Sequence, residues 1–137
     1  MERSAFSILI VDDEPWARRE LKLLLRLRSD VAIVGEADTV ANTIEQLHRL
    51  RPEITFLDIK LRNEDSFSIF ERTRVESQVV FLTAHADHAL RAFGVDAIDY
   101  LVKPVEPELL DRALARAALA LRARLLARNS DLEIECS

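Results

Sequence analysis

The sequence predicts an α/β fold, a (βα)5 doubly wound domain built on a parallel five-stranded sheet. Five short apolar runs, most of them rich in β-branched residues, barely alternate with polar positions, as strands covered on both faces do. Between them lie segments whose apolar residues recur at helical spacing. Strand alternating with helix in this way implies right-handed crossovers and helices on both faces of the sheet.

The first run is Ile8-Leu9-Ile10-Val11, followed by a helix with Ala17, Leu21, Leu24 and Leu25 on one face. The second run, Val31-Ala32-Ile33-Val34, precedes a helix marked by Val40, Ile44 and Leu47. Asp38 or Thr39 is suited to cap that helix, and Pro52 follows its end. Ile54-Thr55-Phe56-Leu57, Val79-Val80-Phe81-Leu82 and Ile98-Asp99-Tyr100-Leu101-Val102 complete the set of strands. Pro107 suits the first turn of a last helix expected over about residues 106–128. At 1.5 Å per residue that helix would be about 33 Å long and would overhang a sheet of short strands. Leu110, Leu114, Ala117, Leu121 and Leu125 carry its apolar face into the overhang, so a partner helix, a second copy or a further domain is expected to cover it. Residues 129–137 read as a tail or the start of an output domain, with Leu132-Glu133-Ile134 able to begin a strand.

Composition narrows the function classes. The 137 residues suit one domain, and 49% hydrophobic against 31% charged is ordinary globular usage. A net charge of -5 without a basic stripe disfavours direct nucleic-acid binding by this segment. Cys136 is the only cysteine, so an intrachain disulfide is excluded and a reducing compartment is the simpler expectation. No apolar stretch is long enough to span a membrane, and a cytoplasmic location without a membrane partner is expected.

In parallel α/β sheets, sites form outside the carboxyl ends of the strands, so the residue after each run matters most. The first strand ends in Asp12-Asp13, the third in Asp58, the fourth in Thr83 and the fifth in Lys103-Pro104. These sets share one rim. Clustered carboxylates repel unless protonated or bridged by a cation, and a hard, oxygen-rich set suits Mg²⁺. Carboxylates, a metal, a lysine and a hydroxyl together are the parts of a phosphoryl-transfer site, with Asp58 as the nucleophile.

ILIVDDEP at 8–15, FLDI at 56–59, FLTA at 81–84 and YLVKP at 100–104 together resemble the receiver domain of bacterial two-component response regulators. The stretch from Thr83 to Pro107 is similar to the LytR/AlgR (LytTR) class. The resemblance implies a flavodoxin-like receiver fold with strand order 2-1-3-4-5 over residues 1–128, and phosphorylation of Asp58 by a histidine kinase or phosphotransfer protein. It further implies Mg²⁺ held by Asp13 and Asp58, by Asp12 at least through water, and by the backbone carbonyl of Lys60. Thr83 and Lys103 would hold the phosphoryl oxygens, with Thr83 moving toward them and Tyr100 turning inward behind. The signal would be read on the surface of the fourth helix, fifth strand and fifth helix, which in receivers pairs domains into dimers or docks an output partner. Such a domain is a signalling phosphoacceptor, not a turnover enzyme.

One segment departs from the family pattern. Arg62 and Ser66 stand where receivers usually carry a proline and then a glycine, which predicts a loop after Asp58 that is more mobile or differently turned. Lys60 and His85 are placed to flank the phosphoryl group, and Trp16, three residues after Asp13, is expected near the metal. The altered loop is the best support for the principal alternative, an interaction module that works without phosphorylation. A flavin carrier is disfavoured because Asp12-Asp13-Glu14 would repel a phosphate, and a phosphatase of the Asp-x-Asp type because the motif is absent.

Overall fold

The computed structural model describes residues 5–84 and 96–136, with side chains described as far as residue 129. The five main strands are β1 (Phe6–Val11), β2 (Val31–Ala37), β3 (Ile54–Asp58), β6 (Gln78–Thr83) and β7 (Asp99–Val102). They form one sheet in the order β2-β1-β3-β6-β7, with every neighbouring pair parallel. This is the predicted order 2-1-3-4-5. The helices are α1 (Pro15–Arg26), α2 (Val40–Leu50), α3 (Ser68–Arg72) and α4 (Pro107–Cys136). The helix expected between the fourth and fifth strands, with His85 and His88, falls outside the described residues.

Alternate residues of each strand enter two separate cores. On one face Ile8, Ile10, Ile54, Phe56, Val80 and Leu82 pack with Leu21 and Leu25 of α1 and with Leu110, Ala113 and Leu114 of α4. On the other, Leu9, Val11, Leu57, Val79 and Phe81 pack with Val40 of α2 and Ile69 of α3. Each large side chain buried this way contributes roughly 1.5–3 kcal/mol relative to exposure, which is why both faces had to be apolar.

The element ends follow local chemistry. Pro15 opens α1 and Pro107 opens α4. Thr39 is the cap of α2, its Oγ1 accepting from the Asn42 amide at 3.0 Å, while Asp38 instead receives the Arg62 guanidinium at 3.1 Å. The register of β1 on β2 slips between Ile8 and Leu9, passing over Val34. Beside that bulge, a Cβ on Gly35 would lie 2.6 Å from Leu50 Cδ1, so glycine lets α2 close on the sheet.

One expectation is corrected. The last helix runs without interruption to Cys136, so residues 129–136 form neither a frayed tail nor a strand at 132–134. No glycine or second proline interrupts the stretch after Pro107, and α4 reaches about 45 Å at 1.5 Å per residue. The loop after Asp58 is an antiparallel hairpin, β4 (Lys60–Leu61) with β5 (Glu64–Asp65), turned at Arg62-Asn63. Among the described residues no helix is long and apolar enough to cross a membrane.

Candidate functional site

Chain direction places the site. Because β1, β3, β6 and β7 run parallel, their carboxyl ends bring Asp12, Asp13, Asp58, Thr83 and Lys103 to one rim. They line a cavity of about 480 Å³ together with Glu14, Trp16 and Lys60. One carboxylate oxygen from each of Asp12, Asp13 and Asp58 lies within 4.8 Å of the others.

Specific contacts hold the centre of this group. Lys103 Nζ bridges Asp12 Oδ2 at 2.5 Å and Asp58 Oδ2 at 2.9 Å. Asp12 Oδ1 accepts from the Glu14 amide at 3.0 Å, and the Arg18 guanidinium holds the Asp12 carbonyl at 2.7 Å. Arg18 and Lys22 both reach Glu36 on β2, which anchors α1 beside the site. Lys103 is itself positioned by its amide, which donates to the Thr83 carbonyl at 2.8 Å, and its peptide bond to Pro104 is cis.

Asp12 and Asp58 are almost wholly buried. Burial pushes the Asp58 carboxyl up to about 6; the Lys103 hydrogen bond opposes the shift and the charge of Asp12 adds to it. For Lys103, burial works against the ammonium, but the hydrogen bonds to Asp12 and Asp58 outweigh it and hold the group above its ordinary value. Three carboxylates against one ammonium leave about two negative charges when all are ionised, the complement of a divalent cation. The donors are hard oxygens, and the cluster is therefore capable of coordinating a metal such as Mg²⁺.

The remaining expected residues sit around this centre. Thr83 ends β6 on the same rim and is buried. The Lys60 amide lies 3.4 Å from Asp58 Oδ1, and its side chain is exposed. Tyr100 is half-buried and stacked on Phe81, with ring centroids 5.5 Å apart; burial and then Asp96 raise its phenol above the ordinary value. Trp16 is 54% exposed and gives its indole N–H to Glu14 Oε2 at 2.7 Å, so it lines the cavity without being core.

Sequence reasoning treated Arg62 only as a departure and missed its role. With φ of 56°, in the left-handed region, Arg62 turns the hairpin so that its amide donates to Asp13 Oδ2 at 3.0 Å. The loop thus closes onto the carboxylate cluster. The signal was the substitution itself, whose consequence depends on a turn that spacing does not reveal. Ser66 is fully buried, donates its amide to the Ile59 carbonyl at 2.8 Å, and leaves its hydroxyl without a partner among the described residues.

Comparison with known proteins agrees with this geometry. Residues 8–115 match the response regulator receiver domain. The chain is 43% identical over 112 residues to the sensory transduction protein LytT of Bacillus cereus, covering 80% of this chain and 46% of that protein. It is 40% identical over 111 residues to the transcriptional regulatory protein BtsR of Escherichia coli K12, with the same coverage. The chain thus spans about half the length of the curated relatives it matches. Among solved structures, the response regulatory domain of protein mrkE from Klebsiella pneumoniae superposes with a TM-score of 0.73 at 28% identity, covering 85% of this chain and 98% of that one. On the match over residues 8–115 and these relatives, the chain belongs to the family of response regulator receiver domains.

Proposed function

We propose that this domain is a magnesium-dependent phosphoacceptor of a two-component system, with Asp58 receiving the phosphoryl group from a histidine kinase or phosphotransfer protein. The observation that carries the reading is the convergence of the Asp12, Asp13 and Asp58 carboxylates within 4.8 Å, with Lys103 bridging two of them. Asp58 attacks the phosphorus of the donor phosphohistidine, the P–N bond breaks, and the imidazole leaves as Asp58 becomes an acyl phosphate. Mg²⁺, when bound by Asp12, Asp13, Asp58 and the Lys60 carbonyl, supplies positive charge against the phosphoryl oxygens. Lys103 then exchanges its carboxylate partners for a phosphoryl oxygen, and the Thr83 hydroxyl donates to another.

The same reading makes Thr83 and Tyr100 the switch and places the output on the surface around β7 and the start of α4, by dimerisation or by contact with an output domain. The reading also takes in the LytTR class, a cytoplasmic setting, a role in transcription regulation and a receiver unit over residues 1–128; similarity to BtsR, a transcriptional regulatory protein, supports the role in transcription regulation. The altered hairpin is the one feature that favours a phosphorylation-independent module. Its closure on Asp13 by the Arg62 amide speaks for a competent metal site instead.

The test is to incubate the chain with Mg²⁺ and either acetyl phosphate or beryllofluoride, following adduct mass and Trp16 emission beside sedimentation. A magnesium-dependent response that disappears in Asp58→Asn supports the phosphoacceptor. Silence with both reagents, and partner binding unaffected by Asp58→Asn, would leave the interaction module.

A further inference from the structure

The pole opposite the carboxylate rim holds a second cavity, of about 770 Å³. Phe6, which opens β1, lines it, whereas Asp12 follows the other end of that strand; a strand of six residues separates the two by about 20 Å. Its floor is apolar, with Phe6, Leu121 and Leu125 among the lining side chains, and Leu125 is 59% exposed. Its rim carries five guanidinium groups, those of Arg51, Arg74, Arg122, Arg124 and Arg128.

The charge balance is lopsided for a chain whose net charge is -5. Among the described residues, two carboxylates line the cavity, and both are engaged. Glu53 accepts the Ser7 amide at 2.9 Å, and Glu76 lies 4.0 Å from Arg74. Among the described residues, no carboxylate pairs with Arg51, Arg122 or Arg128. Arg124 is spent on a different task, donating to the Glu76 carbonyl at 2.7 Å and so tying the overhang of α4 to the segment that leads into β6. The cavity is therefore pre-formed, cationic at its edge and apolar at its base.

We propose that this cavity docks an acidic segment of a partner protein that also presents leucine-sized side chains. Guanidinium forks match carboxylates, and desolvated apolar contact with the floor supplies what charge alone does not. A nucleic-acid backbone would use the rim and leave the floor uncovered. Because the site lies at the other end of the sheet, its occupancy is independent of the chemistry at Asp58.

The experiment measures fluorescence anisotropy of three labelled peptides of equal length against the whole chain: Glu with Leu at helical spacing, Lys in place of Glu, and Ser in place of Leu. A single-stranded oligonucleotide is the fourth probe. The Glu/Leu peptide is expected to bind, to weaken as salt is raised, and to lose about tenfold or more in affinity for the Arg122→Glu/Arg128→Glu double variant. Leu125→Ala is expected to weaken it as well, whereas Asp58→Asn and beryllofluoride leave it unchanged. Thermal melting of both variants verifies the fold. Failure of the Glu/Leu peptide to bind, equal binding of the Lys or Ser peptides, tighter binding of the oligonucleotide, or indifference to the double variant would overturn the proposal. None of these results depends on whether Asp58 accepts phosphate.

Discussion

Lys103 sits between two carboxylates that would otherwise repel, and this decides how the centre responds to substitution. In Lys103→Met the cluster keeps all three carboxylates and loses the cation that competes for Asp12 Oδ2 and Asp58 Oδ2. The variant should bind Mg²⁺ more tightly than the parent yet accept phosphate from acetyl phosphate about 10²-fold more slowly, because the group that would meet a phosphoryl oxygen is gone. Magnesium titration and single-turnover phosphorylation check the two effects separately; a fall in both would mean that Lys103 is needed to assemble the cluster. Ser66 offers a simpler prediction. Its hydroxyl is buried without a partner among the described residues, so Ser66→Ala should raise stability by about 1 kcal/mol in urea unfolding. A loss of stability would show that the hydroxyl is satisfied by water. At this scale the strand-end aspartates were legible because strand direction alone brings them together. Lys103 was legible on the same rim for the same reason, whereas the Arg62 amide was not, since it depends on where a loop turns.

Among the elements, α1 is fastened to β2 through Glu36, which receives Arg18 at 2.9 Å and Lys22 at 2.8 Å. Burial alone would raise the Glu36 carboxyl, but the hydrogen bonds from Lys22 and Arg18 prevail and hold it below its ordinary value of 4.5. A carboxyl lowered by folding contributes stability above its unfolded value and loses it as pH falls through the folded one. The stability difference between the parent and Glu36→Gln should therefore be largest above about pH 5 and close in more acidic buffer. Urea unfolding of both proteins across that range is the check, and a constant difference would assign the effect to packing. The hairpin β4–β5 illustrates what pattern reading misses. Lys60-Leu61 and Glu64-Asp65 are too short to give a period, and a left-handed Arg62 is outside what residue preference anticipates.

For the whole molecule, α4 joins two regimes. Leu110, Ala113, Leu114 and Ala117 are buried against the sheet, whereas Leu125 and Leu126 are exposed in the overhang. Leu126→Gln should therefore change folding stability by no more than about 0.5 kcal/mol, because that side chain is 67% exposed. Denaturant unfolding of the variant measures this, and a larger loss would mean that the overhang of α4 packs against the body.

By itself the sequence determined the alternation of strand and helix, the two-faced burial of the strands, and the rim on which Asp12, Asp13, Asp58, Thr83 and Lys103 meet. These rest on periodicity and chain direction, which are local properties. Tertiary structure decided which oxygen each donor reaches, how the substituted loop closes on Asp13, and that five arginines gather at the opposite pole. Those outcomes depend on contacts between segments distant in the chain, such as Arg62 with Asp13 and Arg124 with Glu76.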